Sequence, residues 1–239
     1  MTYAAVAAIV AIASLVMAVS GFGFALVAVP LLAVVVGAET SVVANAMIGL
    51  GLVALMTLRN RHGVVRRTVV LGSLAAIAAM PLGVIVLVRL DDRALMATIG
   101  VVVITIAAAL ALGLKVSGSS ATDVVAGALS GALATSTGTN GPPLVIALQG
   151  RGYPPSAFRA TLAALFLVQS IAALVAFALA GRITADVGRV ALAGYPAMVA
   201  GLLIGERMVA RVDAGRFRAL VLGLLAASGF ISLAAAVWG

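Results

Sequence analysis

The sequence predicts an all-α integral membrane protein made of two inverted-topology repeats, each a re-entrant, broken helical hairpin followed by three transmembrane helices. The first observation behind this prediction is composition, since 64% of the 239 residues are hydrophobic and only 9% are charged. The second is that the charges form short clusters, with uncharged runs between them that mostly reach the about 20 residues a helix needs to cross the hydrocarbon core. The third is that two of these runs are too long for one crossing, and each contains a glycine- and proline-rich interruption.

Composition also limits the classes of function. A soluble domain carries about 25% charged residues, and the alternating pattern of a membrane β-barrel is absent. The chain has no cysteine, which excludes disulfides, zinc–thiolate sites and cysteine nucleophiles. The net charge of +8 is typical of basic residues that flank helices on the cytoplasmic side, so nucleic acid is not an expected partner. The first apolar run has no basic segment before it and is too long for a signal peptide, so we expect it in the mature protein.

Residues 2–38 and 124–150 are the two overlong runs. As one straight helix the first would be about 55 Å long, whereas the hydrocarbon core is only about 30 Å thick. The first run is interrupted at residues 20–24 (Ser-Gly-Phe-Gly-Phe), ahead of Pro30, and the second at residues 135–143 (Thr-Ser-Thr-Gly-Thr-Asn-Gly-Pro-Pro). Glycine permits turns that other residues resist and proline removes a backbone donor, so both runs are predicted to break there.

The basic residues decide between a kinked crossing and a hairpin. If each long run crosses once, the 15 Lys and Arg residues divide almost evenly between the two faces. If each run is a hairpin, eleven lie on one face and four on the other, as the positive-inside rule expects. The four are Arg89, Arg93, Arg182 and Arg189. The hairpin arrangement places both termini outside a bacterial-type inner (plasma) membrane, with the loops at residues 59–67 and 207–218 in the cytoplasm.

An odd number of crossings in each half reverses the second half relative to the first, which predicts an inverted repeat. The first repeat is assigned to residues 1–114, the linker to residues 115–122 and the second repeat to residues 123–239. A weak internal match supports duplication, because the spacing from Gly83 to Asp91 equals that from Gly205 to Asp213.

Three segments resemble the sulfite exporter TauE/SafE family. They are residues 20–24 with Pro30, residues 137–143 (Thr-Gly-Thr-Asn-Gly-Pro-Pro) and residues 158–160 (Phe-Arg-Ala). The arrangement of two similar halves extends the resemblance over essentially the whole chain. The resemblance implies a permease for small anions such as sulfite, organosulfonates or carboxylates.

The two breaks form the expected solute site. Non-helical backbone at membrane depth is tolerated where protein or a water-filled cavity surrounds it, and a helix N-terminus supplies free N–H groups and partial positive charge for an anion. Pro142 and Pro143 fit the first turn of a helix whose N-terminus would point its donors into the second break. The predicted substrate-binding residues are Ser20, Gly21, Phe22, Gly23, Asn45, Ser136, Thr137, Gly138, Thr139, Asn140, Gly141 and Arg159.

Each of these assignments has a structural alternative. The glycines can serve close helix packing, and Asn45 can bond to a neighbouring helix. Arg159 can be an arginine that snorkels at a helix end rather than a partner of the anion. Gln149 and Gln169 are weaker candidates for the solute path.

The pattern indicates an inner-membrane transporter of small anions that works by alternating access around the two broken helices. The alternatives are an anion channel or facilitative pore, a membrane-embedded enzyme, and a structural or assembly subunit. An enzyme site needs a nucleophile with a base or a metal cluster. The sequence offers His62 in a basic loop, no cysteine and no central carboxylate, so no catalytic residue, metal or cofactor is predicted.

The expected partners are a small anionic solute and the lipid bilayer. The sequence leaves open whether the protein forms a homodimer. A coupling ion, proton or sodium, is not evident, because no carboxylate lies in the middle of an apolar run, where proton-coupled carriers generally place one.

Overall fold

The computed structural model describes residues 2–59, 63–114, 116–208 and 214–238, and within these residues all regular structure is helical. The side chains of Ser20, Arg59, Met208 and residues 214–219 lie outside the described part, as do Lys115 and much of the two predicted cytoplasmic loops at residues 59–67 and 207–218. The helices are α1 (Thr2–Ser20), α2 (Phe24–Val36), α3 (Ala38–Arg59), α4 (Arg66–Arg89), α5 (Asp92–Ala111), α6 (Ser120–Ser136), α7 (Gly141–Gly150), α8 (Pro155–Leu179), α9 (Ala185–Met208) and α10 (Ala214–Trp238).

Seven of the described helices, α1, α3, α4, α5, α8, α9 and α10, are long and apolar enough to cross a membrane. This confirms the predicted all-α membrane class. The other three are shorter, with 13 residues in α2, 17 in α6 and 10 in α7. Each overlong run is therefore broken where predicted, the first into α1 and α2 and the second into α6 and α7.

The second broken run folds back on itself. Asp123, in the first turn of α6, forms an ion pair with Arg151, which follows α7 directly. Close by, a Cβ atom built at Gly118 would lie 2.6 Å from the carbonyl oxygen of Gly150. Because residues from the two ends of the run lie side by side, the run is a hairpin rather than one long crossing.

The first broken run also pairs its two helices, since α1 packs against α2. In addition, α1 packs along α9 in the same direction, with Gly201 against Ala11 and Gly205 against Ala18 further along both helices. The start of α1 therefore lies at the same end of the bundle as the start of α9.

Polar contacts mark this end of the bundle, which we call the Glu39 end. Arg182, just before α9, donates to both carboxylate oxygens of Glu39 in the first turn of α3, at 3.3 Å each. Asp92, at the start of α5, accepts a hydrogen bond from the N–H of Ala38 at 2.7 Å. Since Ala38 follows the end of α2, the α1–α2 hairpin begins and ends at the Glu39 end.

The opposite end carries a second polar cluster, which we call the Asp123 end. The Thr68 hydroxyl donates to Asp123 Oδ2 at 3.2 Å and lies 2.9 Å from the hydroxyl of Tyr153. The N–H of Val65 donates to the hydroxyl of Thr161 at 3.0 Å. The α6–α7 hairpin begins and ends at this end.

Small residues allow the closest helix pairs to form. A Cβ atom at Gly127 or Gly131 of α6 would clash with the backbone of Gly72 or Ala76 of α4. Small residues at such interfaces let the backbones approach and gain van der Waals contact. The glycines of these helices, unlike those of the breaks, therefore serve packing.

The division of the chain into two repeats joined by a linker at residues 115–122 stays a prediction. Helix α6 begins at Ser120, and the Ser119 hydroxyl accepts a hydrogen bond from the N–H of Thr122 at 3.1 Å as an N-cap. N-cap hydroxyls satisfy backbone donors that have no partner within the helix.

Candidate functional site

The first break is built from glycine backbone. Gly21 and Gly23 have φ values of 80° and 99°, in the left-handed region that costs other residues strain. Helix α2 begins at Phe24 with Gly23 as its N-cap, and no side chain caps the helix. The first N–H groups of a helix have no acceptor within it. The amides of the first turn of α2 are therefore available to a ligand.

The second break differs from the first in its donors. Gly138 has a φ of 68°, and α7 begins at Gly141 with Asn140 as its N-cap. Pro142 and Pro143 follow in the first turn, and neither has an N–H to donate. The start of α7 therefore offers fewer backbone donors than the start of α2. The side-chain amide of its N-cap residue, Asn140, is an additional polar group at this break.

The two breaks meet inside the bundle. A Cβ atom at Gly138 would lie 3.0 Å from Val29 of α2 and 3.5 Å from the side-chain nitrogen of Asn45, and one at Gly141 would lie 4.0 Å from Cβ of Phe22. The Asn45 amide also donates to the carbonyl oxygen of Gly138 at 3.5 Å. Residues predicted from separate halves of the sequence are thus brought together.

A cavity of about 60 Å³ lies at this junction. One water needs about 15 Å³ of such volume, so the cavity has room for roughly four waters or a small anion. The described residues that line it carry no charge. They are Met17, Gly23, Phe24, Ala25, Leu26, Asn45, Ala46, Gly49, Leu52, Val53, Ala134, Gly138, Asn140, Gly141, Phe166, Gln169, Ser170 and Ala173.

Gln169 is the most informative polar residue of this lining. Its side chain is fully buried on α8, and its Oε1 accepts from Asn140 Nδ2 at 3.0 Å and from the Ser130 hydroxyl at 2.8 Å. Its Nε2 has no partner among the described residues. A buried donor without a partner costs about 1–3 kcal/mol, and such a group calls for an explanation such as a ligand.

Asn45 carries the second polar atom without a partner. It is 6% exposed on α3, and its Oδ1 has no hydrogen bond within the described part of the chain. Gln169 and Asn45 both line the cavity, so its wall contains one buried donor and one buried acceptor that have no partner among the described residues.

The hydroxyl side chains that were predicted to bind substrate at the second break do not line the cavity. The Ser136 hydroxyl donates to the carbonyl oxygen of Ala132 at 2.7 Å, and the hydroxyls of Thr137 and Thr139 bond to each other at 2.8 Å. These side chains are buried beside the break but are not among the residues that line the cavity. The side chain of Ser20 lies outside the described residues.

Arg159 is not brought to the cavity. It is exposed near the start of α8, ten residues before Gln169, or about 15 Å along the helix axis. Gly21 and Phe22 belong to the first break without lining the cavity, whereas Gly23, Asn45, Gly138, Asn140 and Gly141 line it.

The sequence ranked Gln169 as a weaker candidate, and the structure places it in the cavity lining. A usable signal was present, because an amide in the interior of an apolar run faces the bundle interior or a solute path more often than lipid. What sequence alone did not supply was its hydrogen bond to Asn140, which fixes which end of the amide is free.

An ion pair between a buried carboxylate and a partly exposed guanidinium lies at the Asp123 end, away from the cavity. Asp123 is 3% exposed and pairs with Arg151, and the hydrogen bond between them raises the pKa of the Arg151 guanidinium above its ordinary value. Neither residue lines the cavity. Within the described part of the chain, no group of three or more His, Cys, Asp or Glu side chains is placed to hold a metal ion.

These features define a multi-pass membrane protein in which two interrupted helices meet at an uncharged, amide-lined cavity. The family model for the sulfite exporter TauE/SafE matches residues 6–231, and the chain belongs to this family. Because this is a family of transporters of sulfur-containing anions, the protein is a membrane transporter. No curated protein and no solved structure gives a significant match to the chain.

Proposed function

We propose that the protein moves small anions, such as sulfite, organosulfonates or related carboxylates, across the inner membrane by alternating access around its two broken helices. The observation that carries this proposal is the meeting of both breaks at one small cavity that holds a buried, unpartnered amide donor. Membrane transporters commonly bind their solutes at discontinuous helices of this kind.

The electrostatics of the cavity suit an anion. Gly23, Phe24, Ala25 and Leu26 bring the uncapped start of α2 to the lining. A helix N-terminus carries about half a positive charge and free N–H groups, which together bind anions. Gln169 Nε2 adds a side-chain donor from α8. An anion bound here replaces part of its hydration with these groups.

Corresponding contacts in the two halves support the inverted repeat that alternating access uses. Gly83 of α4 packs against Ala132 of α6, and Gly205 of α9 packs against Leu15 of α1. The sequence match had already aligned Gly83 with Gly205. The first helix of each broken run therefore packs against the equivalent helix of the opposite half, α6 against α4 and α1 against α9.

A second pair of contacts also joins equivalent helices of the two halves. A Cβ atom at Gly72 of α4 would lie 3.0 Å from Leu165 of α8, and one at Gly194 of α9 would lie 2.6 Å from Ile48 of α3. Two hairpins that enter from the Glu39 and Asp123 ends, held by equivalent helices, can alternate in exposing the cavity.

The driving force for export needs no coupling ion. One negative charge that leaves an inside-negative cell gains about 2.3 kcal/mol per 100 mV, which corresponds to a gradient of roughly fifty-fold. No carboxylate is among the described residues of the cavity lining. Import against the same potential requires a coupling ion.

Flux into proteoliposomes tests this function. The purified protein is reconstituted, the potential is clamped, and uptake of sulfite, methanesulfonate and small carboxylates is compared with uptake into protein-free vesicles. We expect saturable, protein-dependent uptake and accelerated exchange when unlabelled anion is placed inside. Flux without saturation or exchange would favour the channel alternative, and the absence of flux for every anion would refute the proposal.

A further inference from the structure

We propose that the cavity selects a monoanion that keeps one hydroxyl group, as hydrogen sulfite does, over dianions and over sulfonates that lack a hydroxyl. This rests on the proposed transport of small anions and specifies the ionic form that is carried. The basis is the presence of one unpartnered donor, on Gln169, and one unpartnered acceptor, on Asn45, in the uncharged described lining of a single cavity.

The hydrogen bonds to each amide fix which atom is free. Gln169 Oε1 accepts from Asn140, which leaves Nε2 as the open donor. The side-chain nitrogen of Asn45 donates to Gly138, which leaves Oδ1 as the open acceptor. A fully ionised oxyanion offers acceptors only, so one of its oxygens would face the lone pairs of Asn45 Oδ1. An anion with one O–H can donate to Asn45 and accept from Gln169.

The charge of the lining also favours a monoanion. The free energy of removing an ion from water grows with the square of its charge, so a dianion needs far more compensation than a monoanion. The described lining has no cationic side chain, and the start of α2 supplies about half a unit charge. The cavity volume of about 60 Å³ suits an ion with four non-hydrogen atoms better than a long-chain sulfonate.

No titratable side chain is among the described residues that line this cavity. The titratable side chains of α1, α3, α6 and α8 stand near helix ends, and α9, which packs on α3, brings Tyr195, whose hydroxyl donates to the carbonyl oxygen of Met47 at 2.8 Å. Among the described side chains those near the helix ends are Tyr3, Glu39, Asp123 and Arg159. Helices α4 and α5, which pack on α8 and α3, also carry their charged groups near their ends, namely Arg66, Arg67, Arg89, Asp92 and Arg93. A pH dependence of the flux is therefore assigned to the solute.

The test is the pH profile of the wild-type protein in proteoliposomes, with equal pH on both sides and a clamped potential. At fixed total sulfite, we expect the protein-dependent flux to fall about tenfold for each pH unit above the second ionisation of sulfite. Methanesulfonate keeps one charge over this range, so its flux should be lower and flat. A sulfite flux that is constant with pH, or a parallel fall for both anions, would overturn the inference.

A variant of Asn45 tests the role of the acceptor separately from that of the Gln169 donor. Asn45→Leu removes the acceptor, so we expect the ratio of sulfite flux to methanesulfonate flux to fall about tenfold or more. Gln149, which the sequence left as a weaker candidate for the solute path, is exposed at the end of α7 and is not among the residues that line the cavity, so Gln149→Leu is the matched control and should leave the ratio unchanged. An unchanged ratio in Asn45→Leu also overturns the inference. If neither anion shows protein-dependent flux in the wild type, the proposed function fails instead.

Discussion

At the scale of single residues, Gln169 and Asn140 are the side chains on which the proposed binding of an anion at a neutral site depends. Asn140 donates to Gln169 Oε1 at 3.0 Å, and Nε2 of the same amide has no partner among the described residues. In the proposed complex, an anion that accepts from this donor offsets the cost of burying it without a partner. Hydrogen bonds to charged groups contribute about 1.5–3 kcal/mol.

The replacement Gln169→Leu tests this role. We expect anion flux in proteoliposomes to fall roughly 10- to 100-fold, because the open donor is lost. Gln149→Leu serves as the control, since Gln149 is exposed. Arg159→Ala should change the flux much less, because Arg159 lies about 15 Å from Gln169 along α8. A larger loss for Arg159→Ala than for Gln169→Leu would contradict this assignment.

At the scale of helices, the two breaks are unequal partners. Helix α2 starts without a side-chain cap and keeps its first amides, whereas Pro142 and Pro143 remove donors from the start of α7. The prolines still favour a helix start, because their φ is already helical. In the proposed binding of the anion, the second break therefore takes part through Asn140 and its hydrogen bond to Gln169 more than through its backbone N–H groups.

Helix packing depends on small residues between α4 and α6. A Cβ atom at Gly131 would clash with the backbone of Ala76, so Gly131→Val must push the two helices apart. We expect a loss of about 1–3 kcal/mol or more, measured as a lower thermal unfolding temperature in detergent. Gly223→Val is the control, because a Cβ atom there meets nothing within 4 Å. Equal unfolding temperatures for the two variants would refute close packing at Gly131.

The elements that were predictable are those with a local signal in the sequence. The broken runs were predictable because their length exceeds the membrane and glycines and prolines mark the interruptions. Asn45 was predictable as a polar residue in an apolar run. The exclusion of Thr137 and Thr139 from the lining was not, because it depends on their mutual hydrogen bond. The ion pair of Asp123 and Arg151 was missed, since it joins the two ends of a folded-back run.

At the scale of the whole molecule, the account requires hairpins that enter from opposite faces. Single cysteines can test this, because the native chain has none. We expect Thr2→Cys and Ala185→Cys to react with an impermeant thiol reagent from outside the cell, and Ser117→Cys and Gln149→Cys only after the membrane is permeabilised. All four positions are exposed. Labelling of residues 117 and 149 from different faces would show that α6 and α7 cross the membrane once as a pair.

The most direct test of the central claim, that the anion passes through the cavity between the two breaks, is sulfite flux in the variant Gly49→Val. Gly49 lines the cavity, and a Cβ atom there meets nothing within 4 Å, so valine can occupy the cavity without disturbing a neighbour. We predict that Gly49→Val abolishes most of the protein-dependent flux in proteoliposomes, while Gly223→Val retains it. Wild-type flux in a folded, fully inserted Gly49→Val protein would contradict the account.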